Sequence, residues 1–165
     1  MLEHAALLLA FAIADSGAAP AEAAAHAFLD RFAGRWMGEG TTRGKPIRDE
    51  MQFEWTLGRR FLRLRYRALA GDDFQAEGYV WYDPERSRYE FYEFNTGRAP
   101  VRVEVGQRTN DRLVFVERTE RRHMQLTLEL VDTDTLKLTE AEVFGKRVEP
   151  YVYLTFRRAP ESKAP

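Results

Sequence analysis

From Gly34 onward, hydrophobic and polar residues alternate in short runs that are separated by turn-forming residues. The clearest run is MQFEWTL, from Met51 to Leu57, in which every second residue is apolar. This period of two places alternate side chains on opposite faces of a β-strand. Ten such runs predict strands at 35–43, 48–57, 61–68, 74–82, 89–96, 101–108, 112–118, 122–131, 136–144 and 151–157.

The segment before these runs has a different period. EAAAHAFLDRFA, from Glu22 to Ala33, places Ala24, Phe28 and Phe32 four residues apart, which gives one apolar stripe along a helix. We therefore predict one short helix over 22–33, ended by Gly34 in the position that glycine favours after a helix.

The connections between the predicted strands are short, so neighbours in sequence should pair as antiparallel hairpins. A meander of about ten strands leaves two unpaired edges unless the first and last strands meet. Closure removes both edges, and ten strands should enclose more space than the eight that already hold a small ligand. The predicted fold is all-β: a closed antiparallel up-and-down barrel of about ten strands with one short N-terminal helix.

The N-terminal residues indicate a possible export signal. AALLLAFAIA, from Ala5 to Ala14, is too short to span a bilayer and has the length of a signal-peptide core, and APA at 19–21 is a small-x-small cleavage pattern. We expect a signal peptide at 1–21, a barrel domain at 22–159, a polar tail at 160–165 and a periplasmic or secreted protein. Because residues 1–4 contain no Lys or Arg, a helix that starts a cytoplasmic chain is the alternative.

Charge and composition narrow the function classes. The chain has 25 Lys and Arg against 26 Asp and Glu, so it has no strong field to attract nucleic acid or an anionic membrane. With no cysteine, disulfides, thiolate zinc sites and cysteine nucleophiles are excluded. No sequence pattern indicates a Ser-His-Asp triad, a phosphate loop or a His-rich metal site. The expected partner is a small apolar or amphipathic molecule.

An ordered set of motifs carries a resemblance to a known superfamily. FLDRFAGRWMGEG is followed by FEWTLGRRFLRLRY, by EGYVWYDPERSRYEFYEF and by a terminal YLTFRR. A Gly-x-Trp opening with a basic residue on the last strand resembles the calycin superfamily of lipocalins and fatty-acid-binding proteins. The set is similar to bacterial DUF1579-type lipocalin-like proteins and, more weakly, to nitrobindin-type haem barrels. In such proteins a cation of the last strand, here Arg157 or Arg158, would pack over the ring of Trp36.

The resemblance to nitrobindin raises the question of haem. Those barrels take their axial His from the closing strands, but EVFGKRVEPYVYLTFRR contains none. His123 has the opposite parity to Met124 and should therefore point away from the interior. We expect no cofactor, and haem is disfavoured.

Parity within the strands identifies candidate residues for an enclosed ligand site, which should be apolar with a few polar groups. Strand five is ambiguous, because Glu93 lies on one face and Glu90 on the other, so either parity sends a carboxylate inward. Glu140 likewise shares the parity of Leu138. These carboxylates either lie exposed at strand ends or at a bulge, or face an inward Arg or a ligand. The candidate ligand-binding residues are Phe53, Trp55, Leu64, Tyr66, Tyr92, Glu93, Leu126, Glu140 and Tyr153.

A row of arginines, Arg63, Arg65 and Arg67, is interpreted as a solvated outer face paired with Glu54 and Gln52 of the neighbouring strand, rather than as an anion site. Three functions stay open for the barrel. A pocket with one or two polar groups favours ligand binding, and two convergent titratable groups favour an isomerase- or hydrolase-type enzyme using buried Glu and Tyr. A filled interior favours a structural or interaction protein.

Overall fold

The structure, a computed structural model, describes residues 18–71, 73–97, 101–118 and 123–160. The predicted signal-peptide core at 5–14 lies outside these residues. The chain forms one helix and ten strands: α1 (Ala18–Asp30), β1 (Gly34–Thr42), β2 (Lys45–Thr56), β3 (Phe61–Ala70), β4 (Gln75–Asp83), β5 (Arg88–Asn95), β6 (Val101–Thr109), β7 (Arg112–Arg118), β8 (His123–Leu130), β9 (Thr135–Phe144) and β10 (Arg147–Arg158).

The ten strands form a closed antiparallel barrel, as predicted. Each strand pairs with its neighbours in sequence, and β1 pairs with β10 to close the ring. Strand β2 begins at Lys45, earlier than predicted, because Arg43 and Gly44 both adopt positive φ and complete a two-residue hairpin turn. No helix in the described parts of the chain is long and apolar enough to cross a membrane.

Because the strands run up and down, successive turns alternate between the two ends of the barrel. Helix α1 covers the end that carries the β2–β3, β4–β5 and β6–β7 turns. Phe28, Leu29 and Phe32 of this segment are buried, and the Phe32 ring lies 5.8 Å from that of Phe53. The helix ends at Asp30 rather than at residue 33, because the amides of 31–33 bond to carbonyls three residues back, which tightens the chain into a turn. One end of the barrel is therefore filled.

Trp36 and Arg158 stabilise this filled end, a contact that the resemblance stated above implies for Arg157 or Arg158. Trp36 is fully buried and its indole N–H donates to the carbonyl of Phe32 at 2.8 Å. The Arg158 guanidinium carbon lies 4.1 Å from the centre of the Trp36 ring, in cation–π geometry. Arg158 also donates to the carbonyls of Ala33, at 2.5 Å, and Arg31, at 2.9 Å. The last strand thus ties the end of the helical segment to the barrel.

We predict that Arg158→Ala lowers the free energy of unfolding by about 2 kcal/mol, because it removes the cation–π contact and leaves backbone carbonyls without their donors. Urea denaturation followed by tryptophan fluorescence measures this loss. Arg147→Ala is the matched control, since Arg147 lies on the same strand with an exposed side chain. Equal losses in the two variants would contradict the assigned role of Arg158.

The arginine row lies on the outer face and is paired, as predicted. Arg63 forms an ion pair with Glu54, whereas Arg65 lies 3.7 Å from the same carboxylate. Arg67 forms an ion pair with Glu50 at 2.5 Å, and this partner was not predicted. These surface pairs leave the row without a free anion site.

Candidate functional site

The end of the barrel opposite α1 contains a cavity of about 350 Å³. It lies beneath the β1–β2, β3–β4 and β9–β10 connections, where Thr42, Phe74 and Tyr151 reach its wall. Side chains from strands on several sides of the ring form most of the apolar wall: Ile47, Leu64, Met124, Leu126, Leu128 and Leu138. All six are buried. The barrel is thus filled near the helix and hollow at the other end.

A cluster of charged side chains from four strands forms one side of this cavity. Arg102 on β6 lies at its centre and is 8% exposed. Its guanidinium nitrogens lie 2.7 Å from Glu104 and 3.4 Å from each of Glu93, Glu117 and Glu140. We call these five residues the Arg102 cluster. All but Glu104 reach the cavity wall.

The cluster has more negative groups than its one cation can compensate. Burial raises the pKa of Glu104 to about 8, against the opposing attraction of Arg102. Burial also raises the pKa of Glu93, although Arg102 and Asn95 both favour its ionised form. The pKa of Arg102 is raised because the four carboxylates outweigh the cost of burying its charge. Near neutral pH, Arg102 is therefore charged and Glu104 carries its proton.

The hydrogen bonds within the cluster are incomplete. Among the described residues, neither oxygen of Glu104 has a hydrogen-bond partner, although the side chain is fully buried. The same is true of Nε and Nη2 of Arg102, which lie near carboxylates without the alignment of a hydrogen bond. Buried polar groups without such partners are rare in folded proteins, and each calls for an explanation. Because Glu104 does not reach the cavity wall, a ligand in the cavity would not supply its missing partner.

Other polar side chains around the cavity donate to carboxylates. The Tyr151 hydroxyl donates to Glu140 at 2.7 Å, and the Asn95 amide donates to Glu93 at 2.7 Å. The hydroxyl of Tyr66 donates to a further buried carboxylate, that of Asp49. Hydrogen-bond donors at the wall are therefore directed at acidic groups.

Five of the nine candidate residues line the cavity, namely Leu64, Tyr66, Glu93, Leu126 and Glu140. On β5, Glu93 points into the barrel. Glu90 lies on the outer face, where it accepts hydrogen bonds from Arg88 and Tyr92. Glu93 and Glu140 both face an inward arginine, which was one of the two alternatives for these carboxylates. Their role in ligand binding stays a prediction.

The other four candidates lie elsewhere. Tyr92 and Tyr153 were wrongly placed in the interior: they are 37% and 51% exposed on the outer face, because their neighbours in sequence take the inward positions. Phe53 is inside the barrel but packs against Phe32, in the turn that follows α1 at the filled end. Trp55 also lies at that end, where its indole N–H donates to Asp30 at 2.6 Å.

Four further charged residues at or beside the cavity were not predicted from the sequence: Asp49, Arg102, Glu104 and Glu117. On β6, the three valines of VRVEV point outward and are exposed, whereas Arg102 and Glu104 point inward. A polarity pattern alone predicts the reverse orientation. Strand pairing is the feature that could have identified Arg102, because Glu93 lies opposite Arg102 in the register of β5 and β6. An inward Glu93 therefore implies an inward Arg102.

A shallower depression of about 590 Å³ lies on the outer face of β2–β5. Its charged residues already form surface pairs, such as Glu50 with Arg67, so we assign the candidate site to the interior cavity. Of the histidines, His123 is exposed as expected and His26 packs beside Trp55, with ring centres 5.2 Å apart. No group of three or more His, Asp or Glu suited to a metal ion occurs within the described residues.

We predict that Glu104→Gln raises the melting temperature by several degrees at about pH 9 and changes it little at about pH 5. Glu104 has a higher pKa in the folded state than in the unfolded chain, so its contribution to stability is present at low pH. It is lost as pH rises through the folded value of about 8. The groups facing it are Arg102, Glu93, Glu117 and Glu140, and the neutral amide removes the cost of ionisation among them.

Thermal unfolding followed by circular dichroism across this pH range provides the measurement. Glu85→Gln is the control, because Glu85 is exposed in the β4–β5 turn. A melting temperature for Glu104→Gln that runs parallel to wild type at every pH would show that Glu104 is ionised throughout.

Comparisons with known proteins do not assign this chain to a family. The chain matches no known family model, and no curated protein matches it by sequence. Among solved structures, it is similar to a DUF3598-family protein of unknown function from Nostoc punctiforme. That match has 7% sequence identity, covers 81% of this chain and 98% of that chain, and has a TM-score of 0.24. Similarity of this degree does not assign the chain to a family, so it is described by its fold: a closed ten-stranded antiparallel barrel.

Proposed function

We propose that this barrel binds a small hydrophobic or amphipathic molecule in the cavity opposite α1. The observation that carries the proposal is the cavity of about 350 Å³ with an apolar wall and polar groups confined to part of it. Small-molecule sites have this combination, in which apolar area supplies affinity and a few polar groups fix orientation. The calycin-like Trp36–Arg158 pair at the filled end supports the same proposal, since it leaves one end of the barrel for a ligand.

An enzyme on the same barrel is the second candidate, because two carboxylates of raised pKa, Glu93 and Glu104, converge on Arg102. Binding is favoured over catalysis because Glu104 does not reach the cavity wall, so only Glu93 of the two could exchange a proton with a ligand. The cavity argues against the third alternative, a structural or interaction protein with a filled interior.

Titration with a neutral, environment-sensitive naphthalene fluorophore tests the proposal. We expect saturable binding with an emission blue shift in the wild type, and its loss in Leu126→Trp, which places a large ring in the cavity. Circular dichroism confirms that this variant folds, and Met124→Trp on the same wall provides a second test.

The outer face of the barrel requires its own control, since Phe94, Val101 and Val103 are all more than half exposed there. Val103→Lys places a charge in this outer patch and should leave fluorophore binding unchanged. If Val103→Lys abolishes binding while Leu126→Trp retains it, the fluorophore binds outside the barrel and the proposed function is wrong.

A further inference from the structure

The charged cluster at the cavity wall also indicates which kind of head group the site accepts. An arginine inside an apolar barrel would ordinarily suggest an anchor for a ligand carboxylate. In this barrel, four protein carboxylates already lie within 3.4 Å of the Arg102 guanidinium. An anionic ligand would have to displace one of them or add a further negative charge beside them.

The charge balance at the wall is negative. Asp49, Glu93, Glu117 and Glu140 line the cavity, and Arg102 is the one cationic side chain among its described lining residues. The protonated state of Glu104 behind this wall does not alter that excess. Because Asp49 and Glu93 are buried and Glu117 is nearly so, a ligand cation beside them would gain more than at the protein surface.

The hydrogen-bonding capacity of the site also favours a ligand whose head group is a donor. Tyr151 and Asn95 donate to Glu140 and Glu93, so these donors are already engaged. An ionised carboxylate has about four acceptor positions and no donor. The Arg102 nitrogens without a hydrogen bond, Nε and Nη2, are fully buried 3.4 Å from Glu117 and 2.7 Å from Glu104, so these donors are not accessible to a ligand. What the site can still offer a ligand is chiefly acceptors.

From this geometry we propose that the cavity binds a cationic amphiphile, with a primary ammonium or similar donor-rich head group placed among Glu93, Glu117 and Glu140. Its apolar chain lies along the leucine wall of β8 and β9, formed by Leu126 and Leu138. This inference rests on the proposed function and adds the chemical class of the ligand. It makes Glu93 and Glu140 specificity-determining residues.

Competition by three matched amphiphiles tests the head-group assignment. Octylamine, octanol and octanoate have the same apolar chain and differ in charge, and at about pH 7 the amine is a cation. Each displaces the neutral fluorophore from the wild-type cavity. We expect octylamine to do so at a concentration about tenfold lower than octanoate, with octanol between them.

The variants Glu93→Gln and Glu140→Gln keep the side-chain shape and remove one charge each. Either should reduce the advantage of octylamine over octanoate, taken as the ratio of their competing concentrations in that same variant, to about threefold or less. Glu129→Gln is the matched control, because Glu129 pairs with Arg112 away from the cavity and should leave the advantage intact. Two conservative variants are used so that the test can still be read if one of them does not fold.

The outcomes separate the two proposals. If all three amphiphiles compete equally, or octanoate competes best, the cavity binds ligands but the cationic assignment is overturned. If the fluorophore itself does not bind, or binds unchanged in the cavity-filling variants, the proposed function fails. An octylamine advantage that survives both Glu93→Gln and Glu140→Gln would also overturn the assignment.

Discussion

Trp36→Ala should lower the free energy of unfolding by roughly 4 kcal/mol, because it removes a large ring from the interior. The side chain is fully buried at the filled end of the barrel, so its removal leaves a void against the helical segment. It also removes the hydrogen bond from the indole to the Phe32 carbonyl and the ring on which Arg158 packs. Both losses weaken the attachment of α1 to the barrel.

Denaturation by urea, followed by circular dichroism, measures this effect. Trp81→Ala is the control, because Trp81 is a half-buried ring beside Phe61 on the outer face of β4. It should cost far less stability. A loss for Trp36→Ala that is no greater than the loss for Trp81→Ala would refute the assignment of Trp36 as the plug of this end.

Arg102→Met should lower the free energy of unfolding by about 3–5 kcal/mol at about pH 8, because it leaves a group of buried carboxylates without a cation. Without the opposing attraction of Arg102, the pKa values of Glu93 and Glu104, which burial already raises, should rise further. Their protonated forms then favour folding, so the variant should recover stability as pH falls to about 5 and lose it again as pH rises.

Urea denaturation at both pH values measures this dependence. Arg65→Met provides the matched control, since Arg65 is half exposed on the outer face, 3.7 Å from Glu54. We expect a small and pH-independent change there. A destabilisation of Arg102→Met that is the same at both pH values would show that Arg102 acts through packing rather than through charge.

The sequence predicted the fold well because local patterns determine it. All ten strands lie where alternation and turn residues placed them, and the short turns left closure of the ring as the way to pair both edges. The family resemblance limited the cation that packs on Trp36 to Arg157 or Arg158, and Arg158 makes the contact. Boundaries were less accurate where the turns were tighter than the sequence suggested, as at Arg43 and Gly44.

The candidate site was only partly predictable, because it depends on contacts between strands that are distant in sequence. Parity identified Glu93 and Glu140 as candidates, but their shared partner Arg102 lies on β6, whose valines face outward. Glu104, also on β6, was not identified for the same reason. On β5 and β10, Tyr92 and Tyr153 are exposed because their neighbours Glu93 and Leu154 take the inward positions.

The central claim is that the cavity opposite α1 takes up a small molecule. Titration of isotope-labelled protein with octanol, followed by amide NMR, tests it most directly because it locates the bound molecule without relying on its charge. We predict saturable shifts at the inward residues Leu126, Leu128 and Leu138 of β8 and β9. Shifts confined to the outer patch around Val103, or no saturable shifts at all, would contradict the claim.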